Sequence, residues 1–230
     1  MDSKEKKLNI IAIGGGRIYA GETKNIDSYI FSQLPKDNKT ITILSTASKD
    51  RADYIEAIKK VYEELGAKVS VVYEKDLVDG KLSEILSSSD GLYIGGGDVN
   101  YLFQKLTETQ SLNTIIKFAE NGKLVAGLSA GCALLFEKTI FLEGEISSVF
   151  EGIGIIDSVV LPHYEQNLLE KCKDDISSVL KHNKNVYGIS NGCAMHFSDK
   201  NEYVVIKEAY SQGLWQISDK SSNMQVEQIG

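Results

Sequence analysis

One serine lies in a sequence context that often activates a serine hydroxyl group. Ser129 is the centre of Gly127-Leu-Ser-Ala-Gly131, which fits G-x-S-x-G, the pattern of a serine on a sharp turn between a strand and a helix. Glycines on both sides let the flanking backbone approach closely. The first N–H groups of the following helix then point toward whatever the serine attacks. The alternative interpretation is a serine that simply caps a helix.

A serine nucleophile needs a base, and histidine is the usual one. The chain has three histidines. His163 follows an apolar run and Pro162, at the carboxyl end of a predicted strand, so it is the candidate base. His182 ends a predicted helix, where a solvated side chain is expected. His196 lies within a predicted strand, where a packing role is expected.

The third member of such a site accepts the N–H of the imidazole and holds its tautomer. Two acids near His163 in the sequence are candidates, Asp157 and Glu165. A neutral candidate is Asn191, in Gly188-Ile-Ser-Asn-Gly192, because an amide oxygen can also orient a histidine. The sequence leaves these three alternatives open, and the Asn-Gly dipeptide is also typical of an ordinary turn.

Stabilising a tetrahedral oxyanion requires two hydrogen-bond donors. The N–H of Ala130, directly after the serine, is the expected first donor. The loop Gly95-Gly-Gly97 ends a neighbouring predicted strand and is the expected source of the second. Neither this loop nor Gly14-Gly-Gly16 fits the phosphate-binding patterns G-x-x-x-x-G-K-[ST] or G-x-G-x-x-G, so nucleotide binding is not predicted. Cys132, one helical turn after the serine, is interpreted as a buried thiol.

Apolar patterns indicate strands that alternate with helices along most of the chain. The predicted strands are 8–13, 40–44, 69–73, 91–94, 124–128, 155–161 and 186–190. The predicted helices are 25–34, 53–65, 82–86, 99–106, 112–121, 130–136 and 168–180. Residues 194–197 and 203–206 predict an antiparallel hairpin around Ser198-Asp-Lys-Asn201, with a further strand over 210–217. This order is typical of a mostly parallel sheet covered by helices on both faces, with its site at the carboxyl ends of the strands.

Composition favours a single α/β domain over residues 1–230, with a polar tail at 218–230 that is expected to fray. The chain has 230 residues, of which 42% are hydrophobic, and a net charge of −7 without a basic block, so no nucleic-acid or membrane partner is expected. The apolar run at 8–13 is interpreted as a strand and not as a signal peptide. The three cysteines lack metal-ligand spacing, which favours a reduced, cytoplasmic protein without metal or cofactor.

The chain resembles the peptidase E-like serine peptidases, which include aspartyl dipeptidase and cyanophycinase. Six motifs stand in the family's order: Gly14-Gly-Gly16, Thr46-Ala-Ser48 with Asp53-Tyr-Ile-Glu-Ala57, Gly95-Gly-Gly-Asp98, Gly127-Leu-Ser-Ala-Gly131, Pro162-His163-Tyr164 and Gly188-Ile-Ser-Asn-Gly192. The resemblance implies a three-layer αβα fold akin to class I glutamine amidotransferases. It also implies that Ser129 and His163 are catalytic, and that Gly97 and Ala130 provide the oxyanion donors.

The sequence departs from this family at two positions. Asn191 stands where the family commonly has a glutamate or another acid, and Asp98 stands where an asparagine is usual. A pocket for an N-terminal aspartate needs a cation, and the chain has only two arginines, Arg17 and Arg51. Arg17 lies beside the first glycine loop, so Arg17 and Asp98 are the expected substrate contacts.

The leading hypothesis is therefore a serine peptidase that acts on short peptides, including dipeptides, as a monomer or homodimer. The alternative is a weakly active or inactive homologue that binds a small ligand at the same strand ends, because the expected acid is replaced by Asn191. An amidotransferase-like transfer enzyme is disfavoured, because such enzymes have a cysteine at the turn where this chain has Ser129.

Overall fold

The structure, a computed structural model, describes residues 8–143, 146–182, 185–199, 202–220 and 223–230. Its strands are β1 (Ile10–Ile13), β2 (Thr40–Leu44), β3 (Lys68–Val72), β4 (Gly91–Ile94), β5 (Leu124–Leu128), β6 (Phe136–Glu143), β7 (Ile146–Glu151), β8 (Ile156–Pro162), β9 (Val186–Ile189), β10 (Cys193–Phe197), β11 (Tyr203–Lys207), β12 (Leu214–Lys220) and β13 (Asn223–Gln228). Its α-helices are α1 (Lys24–Gln33), α2 (Ala52–Glu64), α3 (Glu74–Val78), α4 (Leu82–Ser87), α5 (Val99–Glu108), α6 (Leu112–Glu120), α7 (Ala130–Leu135), α8 (Leu168–Lys171) and α9 (Lys173–Leu180). No helix in these described ranges is long and apolar enough to cross a membrane.

Seven strands form the first sheet, in the order β11-β10-β1-β5-β4-β2-β3. The strands β1, β5, β4, β2 and β3 are parallel to one another, whereas β10 and β11 are added antiparallel at one edge. This arrangement confirms the predicted mixed α/β fold with a mostly parallel sheet. Within the hairpin, Phe197 pairs with Tyr203, and the predicted turn at Ser198-Asp-Lys-Asn201 lies partly outside the described residues.

Both faces of the first sheet are buried. In β1, Ile10 and Ala12 belong to one buried cluster and Ile11 and Ile13 to another, because successive side chains of a strand point to opposite faces. Helices α1 and α2 contribute to the second cluster, and α5, α6 and α7 contribute to the first. Because helices cover both sides of the sheet, its central strands are apolar on both faces, and their sequences are continuous apolar runs without strict alternation.

Six further strands form a second sheet, in the order β13-β12-β9-β8-β6-β7. The sequence pattern predicts one sheet between two helical layers, and the structure corrects this to two sheets. Val160 and Ile189 of the second sheet join the buried cluster that the first sheet shares, while Ile176 of α9 packs against its other face. Periodicity identifies β8 and β9 as buried strands but does not specify their partners, which are each other and, in addition, β6 for β8 and β12 for β9.

Three segments of the second sheet differ from the sequence predictions. No strands are predicted over 137–154, yet β6 and β7 pair there as an antiparallel hairpin. The tail at 218–230, expected to fray, instead contributes the end of β12 and all of β13. Met224 and Val226 pack against the cluster that contains the buried Ile217, which gives this polar segment a reason to be ordered. The predicted helix at 168–180 is divided into α8 and α9.

The two sheets meet at the backbone that follows β1. The His163 N–H donates to the Gly14 carbonyl oxygen at 3.0 Å, and the Gly192 N–H donates to that of Gly15 at 2.9 Å. These bonds tie the carboxyl ends of β8 and β9 in the second sheet to the carboxyl end of β1 in the first. Side chains that follow strands of different sheets are thereby brought to one seam.

Candidate active site

Ser129 lies at the sharp turn between β5 and α7 that its sequence motif predicts. Its backbone has φ 54° and ψ −105°, a conformation that non-glycine residues rarely adopt. A Cβ atom on Gly127 would lie 2.3 Å from the Gly131 carbonyl oxygen, and one on Gly131 would lie 2.2 Å from that of Ile94. Both glycines are therefore required by close backbone packing, and the turn holds the serine in a strained position.

His163 is in direct hydrogen-bond contact with the serine. The distance from Ser129 Oγ to His163 Nε2 is 2.7 Å, although 34 residues separate the two along the chain. His163 follows β8 and also has a positive φ, of 56°. Its side chain is exposed, whereas Ser129 is half-buried. The candidate base is thus within reach of the hydroxyl proton and open to solvent.

Asn191 occupies the far side of the imidazole. The distance from His163 Nδ1 to Asn191 Oδ1 is 2.6 Å. An amide oxygen only accepts hydrogen bonds, so Nδ1 carries the proton and Nε2 accepts from the serine hydroxyl. A Cβ atom on Gly15 would lie 2.1 Å from Asn191 Oδ1 and 2.3 Å from His163 Nδ1. The backbone of Gly15 therefore packs directly against the side chains of His163 and Asn191.

The two acidic alternatives lie elsewhere. Asp157 is exposed near the amino end of β8, and His163 follows the carboxyl end of that strand. A separation of six residue steps in extended conformation corresponds to about 20 Å. Glu165 is exposed and lines a separate surface cavity together with Trp215. Of the three candidates, the structure brings only Asn191 to the histidine.

The loop Gly95-Gly-Gly97 passes directly beside the serine. A Cβ atom on Gly96 would lie 3.3 Å from Ser129 Cβ. Gly97 has a φ of +143°, and a Cβ atom there would lie 2.2 Å from the Ala47 carbonyl oxygen. The Ala130 N–H follows the serine directly and opens α7, at the position whose N–H has no acceptor within the helix. Both residues predicted to provide donors thus flank Ser129.

A cavity of about 400 Å³ opens over Ser129 and His163. Three cationic side chains line it, Arg17, Lys49 and Arg51, together with the exposed aromatic ring of Tyr19. Each cation also has an acidic partner, which is Glu22 for Arg17, Asp98 for Lys49 and Asp53 for Arg51. Arg17 was predicted here. The sequence pattern does not assign Arg51 to the site. Its place after the Ser45-Thr-Ala-Ser48 loop, at the carboxyl end of a predicted strand, is the feature that could have indicated it.

Asp98 has a structural partner on each side of its carboxylate. Its Oδ1 accepts the N–H of Tyr101 at 3.0 Å, which caps the amino end of α5. Its Oδ2 lies 3.6 Å from Lys49 Nζ. Asp98 does not line the cavity as Gly97 does, and it reaches the cavity wall only through Lys49.

The other nucleophiles and histidines lie outside the cavity. Cys132 is fully buried, and burial raises the pKa of its thiol far above the ordinary value of 9.0. His196 is buried between Tyr29 Oη at 2.8 Å and Asn9 Oδ1 at 2.9 Å, and burial lowers its pKa. His182 is exposed after α9. Across the described residues, no three His, Cys, Asp or Glu side chains come together as a metal site.

Comparison with known sequences places the chain in a family. The model of peptidase family S51 matches residues 10–205, and the chain therefore belongs to that family and is a serine peptidase by membership. The uncharacterized peptidase YgaJ of Bacillus subtilis is 29% identical over 194 residues, covering 82% of each chain. A Peptidase E of a Nostoc species is 24% identical over 157 residues, covering 64% of this chain and 63% of that one.

Two solved structures share the fold. A putative peptidase E of Listeria monocytogenes superposes with a TM-score of 0.65 at 21% identity, over 88% of this chain and 100% of that one. A peptidase from an acI-B1 actinobacterium also has a TM-score of 0.65 at 21% identity, over 98% and 97% of the two chains. At this identity the likeness concerns the fold.

Proposed function

We propose that this member of peptidase family S51 hydrolyses short peptides, including dipeptides, with Ser129 as nucleophile and His163 as general base. The observation that carries the proposal is the continuous hydrogen-bond chain from Ser129 Oγ through the imidazole to Asn191 Oδ1, with distances of 2.7 and 2.6 Å. Ser129 and His163 line a cavity, and Ser129 lies on a strained turn, a combination typical of nucleophilic serines.

In the proposed acylation step, Ser129 Oγ attacks the peptide carbonyl carbon while His163 Nε2 takes the hydroxyl proton. The imidazolium then gives that proton to the leaving amine, and the first product departs. Water repeats the sequence on the acyl-enzyme, which releases the second product and restores the serine. Asn191 accepts the Nδ1–H throughout and so keeps Nε2 available as the base.

The oxyanion forms between the glycine loop and the start of α7. The proposed donors are the N–H groups of Gly97, which lines the cavity with Ser129, and of Ala130, which follows Ser129 at the start of α7. Gly96 is a poorer candidate, because its N–H already donates to the Tyr54 hydroxyl at 2.9 Å. Two backbone donors fixed in this way stabilise negative charge without reorganising in the transition state.

An acidic side chain is the proposed preference of the cavity. Arg17 and Arg51 both line it, and guanidinium groups bind carboxylates through two parallel hydrogen bonds. Their present partners are Glu22, whose side chain is 25% exposed, and the exposed Asp53, and a substrate carboxylate would compete with both for the guanidinium groups. A peptide library that varies the residue before the scissile bond tests this preference. Equal rates for aspartyl and leucyl substrates would contradict it.

The decisive experiment is labelling with a fluorophosphonate probe followed by peptide mapping. We expect the label on Ser129 and no label on S129A. Ser45 serves as a matched control, because it also follows a strand of the first sheet but is buried and bonded to Ser48 Oγ at 2.7 Å. No labelling of the folded protein, together with no cleavage in a dipeptide library, would sink the proposal.

A weakly active or inactive ligand-binding homologue is the second candidate, and Asn191 favours it. An amide orients the imidazole but does not offset its positive charge. If this is the protein's role, a small peptide binds the cavity saturably in calorimetry while turnover stays undetectable. A large rate increase in N191E would instead identify a peptidase whose triad lacks only its acid.

We also propose that the protein acts in the cytoplasm as a monomer or homodimer. All three cysteines are buried free thiols, which suits a reducing compartment. Cell fractionation and light scattering of the purified protein test the two statements separately.

A further inference from the structure

The glycine loop beside the serine is held from its other side by one tyrosine. A Cβ atom on Gly95 would lie 3.0 Å from Tyr54 Cε1, and one on Gly96 would lie 3.6 Å from Tyr54 Oη and 3.3 Å from Ser129 Cβ. The loop is therefore a single layer of backbone between Tyr54 and Ser129. Any movement of the tyrosine hydroxyl is transmitted directly to the loop.

Three N–H groups of the loop and of the residue that follows it donate hydrogen bonds within the protein. The Gly95 N–H donates to the Leu44 carbonyl oxygen at 2.9 Å, and the Asp98 N–H donates to that of Ala47 at 2.8 Å. The Gly96 N–H donates to Tyr54 Oη at 2.9 Å. The residues on both sides of Gly97 are thus anchored. The orientation of the Gly97 peptide follows from these anchors and from its φ of +143°.

Tyr54 is itself firmly placed. It lies in the first turn of α2, is only 9% exposed, and belongs to the buried cluster on that face of the first sheet. Burial raises the pKa of its phenol above the ordinary value of 10.0, so the group stays a neutral hydroxyl at physiological pH. The Arg51 guanidinium lies over its ring at 5.6 Å from the centroid. The tyrosine is therefore a fixed acceptor.

We propose that Tyr54 is a positioning residue that aims the Gly97 N–H at the oxyanion by binding the neighbouring Gly96 N–H. This inference rests on the proposed serine-peptidase mechanism and adds to it a residue outside the hydrogen-bond chain of Ser129. Tyr54 also lines the cavity, but its hydroxyl accepts the loop N–H, so we expect that hydroxyl to support the transition state and not the binding of the ground-state peptide.

The test removes only the hydroxyl, in Y54F. Because one anchor of the loop is lost while the ring remains, kcat for peptide hydrolysis is expected to fall about tenfold with KM within about twofold of the wild-type value. The rate constant of fluorophosphonate inactivation falls by a similar factor, since the bound phosphonyl oxygen uses the same donors. The pH profile keeps its shape, because His163 and Asn191 are untouched. Exchange of the Gly96 amide proton, followed by NMR, accelerates in Y54F.

Two matched variants lose a buried tyrosine hydroxyl without touching the loop. Among the described residues, Tyr93 Oη has no hydrogen-bond partner, although Tyr93 is on β4 just before the loop. Tyr62 lies two turns after Tyr54 on α2 and donates to Asp27 at 3.2 Å. Y93F and Y62F are expected to keep wild-type kcat and wild-type exchange at Gly96.

The possible failures are distinguishable. If the wild-type protein hydrolyses peptides and Y54F is as active as Y93F, the role of Tyr54 is overturned and the proposed function stands. A rise in KM with unchanged kcat also overturns it, since that result assigns Tyr54 to substrate binding. If the wild-type protein neither hydrolyses peptides nor reacts with the fluorophosphonate, the proposed function fails, and the positioning role fails with it.

Discussion

Two hydroxyl–imidazole–amide chains lie at opposite ends of the first sheet. At the carboxyl end, Ser129, His163 and Asn191 are joined by contacts of 2.7 and 2.6 Å. At the amino end, where β1 begins, Tyr29 and Asn9 flank His196 at 2.8 and 2.9 Å. The chemical groups and the distances are almost the same, yet Ser129 and His163 of the first chain line a cavity, whereas His196 of the second is buried.

The surroundings separate the two chains. Ser129 and His163 both have positive φ angles and follow strands of different sheets, whereas His196 is an ordinary strand residue paired with Ile11. His163 is exposed, and His196 is 6% exposed and packs edge-on against the Tyr29 ring. A hydrogen-bonded histidine is therefore insufficient to identify a catalytic site. Strained backbone, neighbouring N–H donors and access to solvent distinguish the first chain.

The two chains should differ most in how activity responds when the hydroxyl group of each is removed. S129A should lose at least about 1000-fold in kcat/KM, because the nucleophile is gone. Y29F should retain wild-type kcat/KM. Its unfolding free energy should fall by only about 1 kcal/mol, because one hydrogen bond is lost. Steady-state kinetics and urea unfolding of both variants provide the comparison. Comparable activity in S129A and Y29F would refute the assignment.

Replacing the two histidines should separate activity from stability. H163A removes the base and should lose about 1000-fold in kcat with little change in unfolding free energy, since the side chain is exposed. H196A leaves Tyr29 and Asn9 without their buried partner and should cost about 2–4 kcal/mol of stability. Its activity per folded molecule should match the wild type. An active H163A variant would contradict the proposed mechanism.

Gly15, which packs against the side chains of His163 and Asn191, is the next position to test. The Cβ atom of G15A would overlap both side chains, at 2.1 and 2.3 Å, so the pair must move away from Ser129. We expect a loss of about 100-fold in kcat/KM, as small misplacements of catalytic groups cause. G80A is the control, because Gly80 has a φ of +71° and open space around its Cβ position. It should lose about 1 kcal/mol of stability and no activity.

Replacing Asn191, the amide of the proposed catalytic chain, should have a smaller effect on the rate, and one that a carboxylate at the same position restores. N191A should lower kcat about tenfold, because the imidazole loses the acceptor that fixes its tautomer. N191D should restore or exceed the wild-type rate, since a carboxylate also stabilises the imidazolium. For the same reason the acidic limb of its pH–rate profile should move to higher pH. If N191A and N191D have the same profile as the wild type, Asn191 does not orient the base.

Titration of the buried Asp27 should change the stability of the protein and not its activity. Burial raises the pKa of Asp27 from its ordinary value of 3.8 to about 7, against opposing hydrogen bonds from Thr23 and Tyr62. The folded state therefore holds this proton more tightly than the unfolded chain, and unfolding free energy should fall by about 4 kcal/mol as pH rises from about 4 to 7. Urea unfolding of D27N should lack this part of the decline, with kcat unchanged. An equally steep decline of unfolding free energy in D27N would contradict the assignment of this pH dependence to Asp27.

The candidate site was predictable wherever it depends on neighbours in the sequence. Gly127 beside Ser129 is such a case, because the backbone that excludes its Cβ atom is that of Gly131, within one turn, whereas Gly131 itself is packed against the distant Ile94 of β4. His163 was predictable from Pro162 and the apolar run before it. The helix–strand alternation up to β5 followed from periodicity in the same way.

Other features depended on contacts between distant segments. The chain by itself named Asn191 as third member but left Asp157 and Glu165 open as alternatives, and what favours Asn191 is a contact across 28 residues between the ends of β8 and β9. Arg51 reaches the cavity because the loop after β2 folds beside the glycine loop after β4. No local pattern reports such proximity.

The sequence alone therefore determined the turn at Ser129, the strand ends that carry polar residues, and the mostly parallel arrangement of the first sheet. Only the tertiary structure decided that the strands form two sheets and that the site lies at the seam between them. The physical reason is that side-chain periodicity records which faces of a strand are buried but not which strand is its neighbour. Ser129 follows a strand of one sheet and His163 a strand of the other, so their contact exists only once both sheets have packed together.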